Sequence, residues 1–232
     1  MDDELLTDEQ EAARARQWLR ENGGFIAAGI VLGLGGLFGW QYWQDYQTSQ
    51  AGSASVVWEQ LRSAITGERF NEVNETLELL ESDYANSPYL DQARLALAKT
   101  HMERNDVAAA AEQLGKLTTT GSDPYLSRLG ELRLAQILLF QEQYDEALTT
   151  LGAPDETALA ALYYELQGDV YYAQGHFEDA RNAYESALAQ SVPGVIDRAF
   201  VQMKLDDVSG VSQALTQSAP PVTDEILGEL TE

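Results

Sequence analysis

The sequence predicts an all-α protein: a single N-terminal helix that crosses a membrane, then a solenoid of about four helix pairs closed by a capping helix. Three observations predict it. Phe25 to Trp43 is a run of nineteen residues without a charge, set between Glu21 and Asp45. From Ser53 onward apolar residues recur at intervals of three and four, the period of amphipathic helices, and no Val- and Thr-rich alternation marks a strand. The helix joins recur as well: Phe70, Val107, Tyr144 and Phe177 each follow a polar turn, at spacings of 37, 37 and 33 residues.

Residues 1–24 form an N-terminal segment in which Thr7 suits an N-cap, with Gln10 three residues on. A short helix is expected to reach Trp18 and Leu19 and to loosen at Asn22-Gly23-Gly24. Residues 25–43 are the transmembrane helix. At 1.5 Å per residue they span about 28 Å, close to the roughly 30 Å hydrocarbon core of a bilayer. Trp40, Tyr42, Trp43 and Tyr46 crowd the C-terminal end, where amphipathic rings favour the headgroup region. Arg14, Arg16 and Arg20 precede the span and no basic residue follows it until Arg62. The basic end stays on the cytoplasmic side, so the larger C-terminal part is expected to be translocated. A cleaved signal peptide is the alternative, with Ser53-Ala54-Ser55 imitating a cleavage site. The apolar run is longer than such peptides carry and ends in bulky aromatics, which favours a retained anchor. Within the span Gly29, Gly33 and Gly36 share one helical face, a spacing that lets a second helix approach closely and predicts transmembrane packing.

Residues 44–52 read as a juxtamembrane linker and 53–208 as the repeat domain. Its breakers fall at helix joins, with Ser87 and Asp123 placed as N-caps before Pro88 and Pro124. Three residues after each join stands Val73, Ala110, Ala147 or Ala180. In the last unit Tyr164, Gly168, Tyr171, Ala180, Tyr184 and Ala187 alternate large and small. That pattern resembles a tetratricopeptide repeat, in which small residues let paired helices approach and aromatics fill the gap to the next unit. Earlier units match more weakly, with Ala98 and Ala135 at the small first-helix position and Leu61 in the first unit. A helix from Val195 to Val208 is expected to cap the last unit through Ile196, Phe200, Met203 and Val208. Residues 209–232 carry Pro220-Pro221 and no basic side chain, and are expected to be an acidic, disordered tail. Within it Ile226, Leu227 and Leu230 are spaced to form one short apolar stripe.

Composition narrows the function. The net charge is −24, from 38 acidic and 14 basic side chains. Such a surface repels nucleic acid, whose binding depends on Lys and Arg displacing counterions. The chain has no cysteine and only His101 and His176, so neither a disulfide nor a zinc site is expected, and no cofactor. No nucleophile elbow, phosphate-cradling glycine loop or His-Glu-x-x-His appears, and paired carboxylates such as Glu165 and Asp169 read as a solvated face. The expectation is a non-enzyme.

A binding groove is expected on the face lined by the first helix of each pair. Transfer of the tetratricopeptide groove positions selects Leu95, Lys99 and Met102 from one unit and Leu132, Gln136, Leu139 and Phe140 from the next. Glu165, Asp169 and Tyr172 follow in the last. Leu95, Leu132 and Leu139 fit equally well as ordinary core residues. Two functions fit this architecture: a membrane-tethered interaction module that binds a partner through its groove, and an envelope scaffold or stress-regulatory adaptor that binds folded partners.

The order of parts resembles the ancillary SecYEG translocon subunits, the YfgM family of Gram-negative inner membranes, over residues of about 12 to 206. The resemblance is carried by Glu21-Asn22-Gly23, the glycine-bearing span, Gly39-Trp40-Gln41-Tyr42-Trp43, the repeat domain and Met203-Lys204-Leu205. It implies a single-pass inner-membrane protein with its repeat domain in the periplasm, associated with the SecYEG translocon and a PpiD-like periplasmic chaperone and handling exported polypeptides. The acidic stretch after Val208 departs from the family pattern.

Overall fold

The computed structural model describes residues 8–154 and 158–218. Thr7 and the apolar stripe Ile226, Leu227 and Leu230 lie outside them. The described residues form helices without strands, and the chain divides into two units, Met1–Val56 and Val57–Glu232.

The first unit consists of most of helix α1 (Asp8–Thr66). This helix holds one stretch long and apolar enough to cross a membrane, and none of that stretch is buried within the protein. Asn22-Gly23-Gly24 does not loosen it, and neither does the expected linker 44–52. Each glycine costs a helix roughly 1 kcal/mol relative to alanine. The first proline of the chain is Pro88, however, so no backbone donor is lost anywhere in α1. Asn22 donates from its side chain to the Trp18 carbonyl oxygen at 3.0 Å, within the helical path.

In the second unit residues 57–66 of α1 are followed by α2 (Phe70–Asp83), then α3 (Pro88–Glu103) with α4 (Val107–Thr120), α5 (Pro124–Phe140) with α6 (Tyr144–Leu151), and α7 (Ala160–Gln174) with α8 (Phe177–Ala189). Helix α9 (Arg198–Ser218) closes the series and runs ten residues beyond the expected end of the cap. The helices start where the sequence supplies acceptors. Ser87 Oγ accepts from the Tyr89 amide at 3.3 Å, and Asp123 accepts from the Tyr125 and Leu126 amides at 2.8 and 3.1 Å. Asp106 and Asp197 cap α4 and α9 in the same way, although the join pattern alone did not single them out.

All four joins share one backbone solution. Two residues before the second helix of each pair the chain turns left-handed, at Glu68, Asn105, Glu142 and Gly175 with φ of 53°, 61°, 61° and 78°. Only the last has the residue that adopts this conformation without strain.

Four core clusters succeed one another along the series. Val57, Leu61 and Ala64 pack with Val73, Leu80, Leu90 and Leu97. Ala98, Ala110 and Leu114 meet Ile137. Leu132, Ala135, Ala147 and Leu151 meet Tyr163, Leu166 and Val170. Ala180, Tyr184 and Ala187 meet Val201 and Val208. The small residues stand where the pattern requires them. A Cβ at Gly168 would lie 2.4 Å from Tyr184 Cε1, so only glycine lets α8 seat its aromatic ring against α7.

The cap is rotated from its expected register. Val201 and Val208 are fully buried while Phe200 and Met203, expected inside, are about half exposed. The reason is electrostatic as well as apolar: Lys204 lies on the same side as Val201 and Val208, and its ammonium group finds carboxylates on α7.

Candidate interaction surface

Helix α3 touches α5, and α5 touches α7, so the first helices of successive pairs form a continuous face. The ten positions expected to line it separate into three groups. Leu95, Leu132 and Glu165 are equivalent by the repeat spacing, and their partners include residues of α5, α7 and the cap α9 respectively. Leu95 packs onto a cluster containing Ile137 of α5. Leu132, 4% exposed, is in a cluster with Tyr163 and Leu166 of α7, so it is a core residue and not part of an open groove. Leu139 is also partly buried in that cluster.

Glu165 is held by α9. Lys204 Nζ stands 2.9 Å from Glu165 Oε1 and 2.7 Å from Asp169 Oδ1. Tyr184 donates its hydroxyl to Asp169 Oδ1 at 2.8 Å. Burial first, then the Asp169 carboxylate, pushes the Tyr184 phenol well above the usual tyrosine range. The ammonium group also lies 4.8 Å from the Phe200 ring centre. Glu165 and Asp169, expected as a solvated acidic face, are therefore an anchoring point for the cap. Lys204, the one lysine after Lys116, is the signal that sequence offered.

The third group remains at the surface. Lys99 and Gln136 are exposed, and Met102, Phe140 and Tyr172 are 43%, 78% and 42% exposed. Lys99 faces Glu103 at 3.7 Å, an exposed pair of little energetic weight. Tyr172 meets Phe177 edge-on, with ring centres 5.7 Å apart. Phe140 has no such partner ring among the described residues.

Two further polar clusters hold the helix pairs together and were not apparent from spacing. Tyr163 donates to Glu131 Oε2 at 2.6 Å and to the Arg128 carbonyl oxygen at 2.9 Å, and burial pushes its phenol well above the usual range. Asp91, wholly buried, accepts from the Ser122 and Asp123 amides at 2.8 Å and from Ser122 Oγ at 2.9 Å, fixing the α4–α5 turn. Arg94 beside it donates to Thr120 Oγ1 at 2.6 Å and meets Glu81 at 3.5 Å. Both clusters tie elements together: Glu131 is bound by Tyr163 and Arg128, and Asp91 Oδ2 takes all three bonds from the α4–α5 turn while Oδ1 is buried without a partner. Among the described residues no group of His, Asp or Glu is placed to hold a metal ion.

In the span, a Cβ at Gly29, Gly33 or Gly36 would meet nothing within 4 Å, so the fold itself does not require glycine there.

The tetratricopeptide repeat-like domain family matches residues 16–210, a range that takes in the apolar span as well as the repeats. The chain is 30% identical over 88% of its length to the ancillary SecYEG translocon subunit of Haemophilus influenzae, covering 98% of that protein. It is also 30% identical over 89% of its length to the Escherichia coli protein of the same name, covering 99% of it. The Neisseria gonorrhoeae counterpart is 29% identical over 88% of the chain. With the span, the paired helices and most of the cap inside the matched range, the chain belongs to the family of ancillary SecYEG translocon subunits, built on a tetratricopeptide repeat-like domain.

Proposed function

We propose that this protein is a non-enzymatic interaction module tethered to the bacterial inner membrane, where it assists the SecYEG translocon and a PpiD-like periplasmic chaperone in handling exported polypeptides. The observation that carries the reading is the extent of the match: relatives named for the translocon are covered over 98–99% of their length, anchor included. Arg14, Arg16 and Arg20 before the span, against none after it until Arg62, support a cytoplasmic N-terminus and a periplasmic repeat domain. The open first-helix positions Lys99, Met102, Gln136, Phe140 and Tyr172 supply protein-binding surface, and the Gly29, Gly33 and Gly36 face supplies helix-packing surface within the bilayer.

A detergent-solubilised pull-down quantified by mass spectrometry tests this. The translocon subunits and the chaperone should be enriched over an untagged control, and Gly33→Leu should weaken the translocon signal without weakening membrane insertion. Recovery of neither partner would refute the reading. Orientation is read separately, because the chain lacks cysteine: an impermeant maleimide should label Ser212→Cys and spare Thr7→Cys once the outer membrane is opened.

A further inference from the structure

Phe140 is the large apolar side chain that the repeat pattern does not explain. Four residues before each second helix stand Thr66, Glu103, Phe140 and Ala173. The position is small or polar in the other three units, and Phe140 is 78% exposed at the end of α5. The turn that follows places Glu142 at the left-handed φ of 61° that all four joins share. Asp145 and Glu146 come next, in the first turn of α6.

These three carboxylates have no basic partner among the described residues, whereas the equivalent acids elsewhere do: Glu72 pairs with Arg69 and Glu178 with Arg181. No Lys or Arg occurs in the sequence between Arg133 and Arg181. The carboxylates line a shallow cavity of about 290 Å³ with Gln143, Tyr144 and Gln174. Gln174 reaches across from the end of α7 and donates to Asp145 Oδ1 at 3.2 Å, while its own carbonyl oxygen accepts no hydrogen bond. The site thus offers an exposed ring, three uncompensated negative charges and a spare acceptor, and no donor-rich feature that would suit an acidic ligand.

We infer that the α5–α6 turn, with the end of α7, docks a polypeptide segment carrying lysine or arginine beside a large apolar side chain. The apolar group seats on Phe140 and the cation on Glu142, Asp145 and Glu146. Charge complementarity selects this occupant. An acidic segment would be repelled, and a purely apolar one would leave the carboxylates facing reduced water with no counter-charge. The inference rests on the reading of the protein as an interaction module and specifies what one of its surfaces binds.

The test uses the full chain in nanodiscs and a fluorescein-labelled twelve-residue peptide of alternating leucine and lysine, read by anisotropy. The same peptide with glutamate for lysine is the comparison. The lysine peptide should bind, and the glutamate peptide should not. Phe140→Ser, and separately the triple change Glu142→Gln, Asp145→Asn and Glu146→Gln, should each weaken binding about tenfold. The triple change should also flatten its salt dependence. Removing as many acids at exposed Glu75, Glu78 and Glu185 should change affinity less than twofold, which separates this site from attraction to a chain of net charge −24. Equal loss from both triple variants, or equal binding of the two peptides, would overturn the inference. So would unchanged binding on Phe140→Ser, whose exposure leaves folding intact. Co-purification with the translocon, followed in parallel, keeps the two readings apart. If the translocon is recovered while the turn proves indifferent to the peptide, this inference falls alone. If binding at the turn holds while no translocon is recovered, the functional reading falls alone.

Discussion

Lys204→Met tests what holds the cap to the repeats. Methionine keeps the length of the stem, and so most of its contact with the Tyr184 and Phe200 rings, but removes the charge. In the native protein that charge lies 2.9 Å from Glu165 and 2.7 Å from Asp169, with the three side chains only 17%, 18% and 29% exposed. At an effective dielectric constant of about 20 each such contact is worth roughly 5–6 kcal/mol of gross attraction, most of which offsets desolvation. The measurable quantity is the loss on removing one partner, about 3–5 kcal/mol for a fully buried set. Residual solvent access reduces this to about 2–4 kcal/mol. Part of it is the repulsion between Glu165 and Asp169, which stand four apart on α7. The assay is hydrogen exchange at the Val201 and Val208 amides of α9, read in the full-length protein in detergent. Exchange there should accelerate about 30- to 1,000-fold, since each 1.4 kcal/mol is a factor of ten. Neutralising all three groups, with Glu165→Gln and Asp169→Asn added, should restore protection to within about tenfold of the native rate, because no charge is then buried without a partner. Acceleration below threefold in the single variant, or a triple variant as labile as the single, would refute the argument that this ion cluster fastens the cap.

Gly168→Ala should destabilise the last helix pair by about 1–3 kcal/mol. Its new Cβ would sit 2.4 Å from the Tyr184 ring, which packing holds in place, and urea unfolding followed by near-ultraviolet circular dichroism gives the value. Tyr163 predicts an alkaline effect. Burial raises its phenol pKa in the folded protein, so above about pH 10 the unfolded chain loses a proton that the folded one keeps. Stability from this group is present in full below pH 10 and falls as pH rises, by at most about 1.4 kcal/mol per pH unit. Tyr163→Phe should be less stable at pH 8, having lost the bonds to Glu131 and the Arg128 carbonyl, yet should lose stability less steeply between pH 10 and 11.5. Parallel slopes for the two proteins would count against the assignment.

The parts of the fold that were legible in sequence are those set by period and by backbone chemistry. The paired helices follow from the three-and-four spacing. Ser87 and Asp123 announce their caps because proline follows each, and Gly168 and Ala180 mark the close approaches because nothing larger fits. What escaped was tertiary and charged. The rotation of α9 depends on Lys204 finding Glu165 and Asp169 from 39 and 35 residues away, which no local pattern encodes. An apolar count over Ile196, Phe200, Met203 and Val208 describes a plausible stripe but gives no weight to where one ammonium group must go. Asp91 is similar. It reads as an ordinary first-turn acid of α3, while its actual partners are the amides of Ser122 and Asp123, 31 and 32 residues on.

The equivalence of Leu95, Leu132 and Glu165 explains why the expected groove is divided. Each position supports the first helix of the next unit, and a repeat array can leave it apolar as long as another repeat follows. At the end of the series the next helix is α9, which carries Lys204 where it faces α7, and the supporting position there is a carboxylate. The acidic pair on α7 thus specifies a unique final neighbour in a way that another leucine would not. Leucine accepts any apolar helix, whereas Glu165 and Asp169 are satisfied only by a cation at the right height. The first-helix face is consequently open over α3 and α5, at Lys99, Met102, Gln136 and Phe140, and sealed where the cap is pinned.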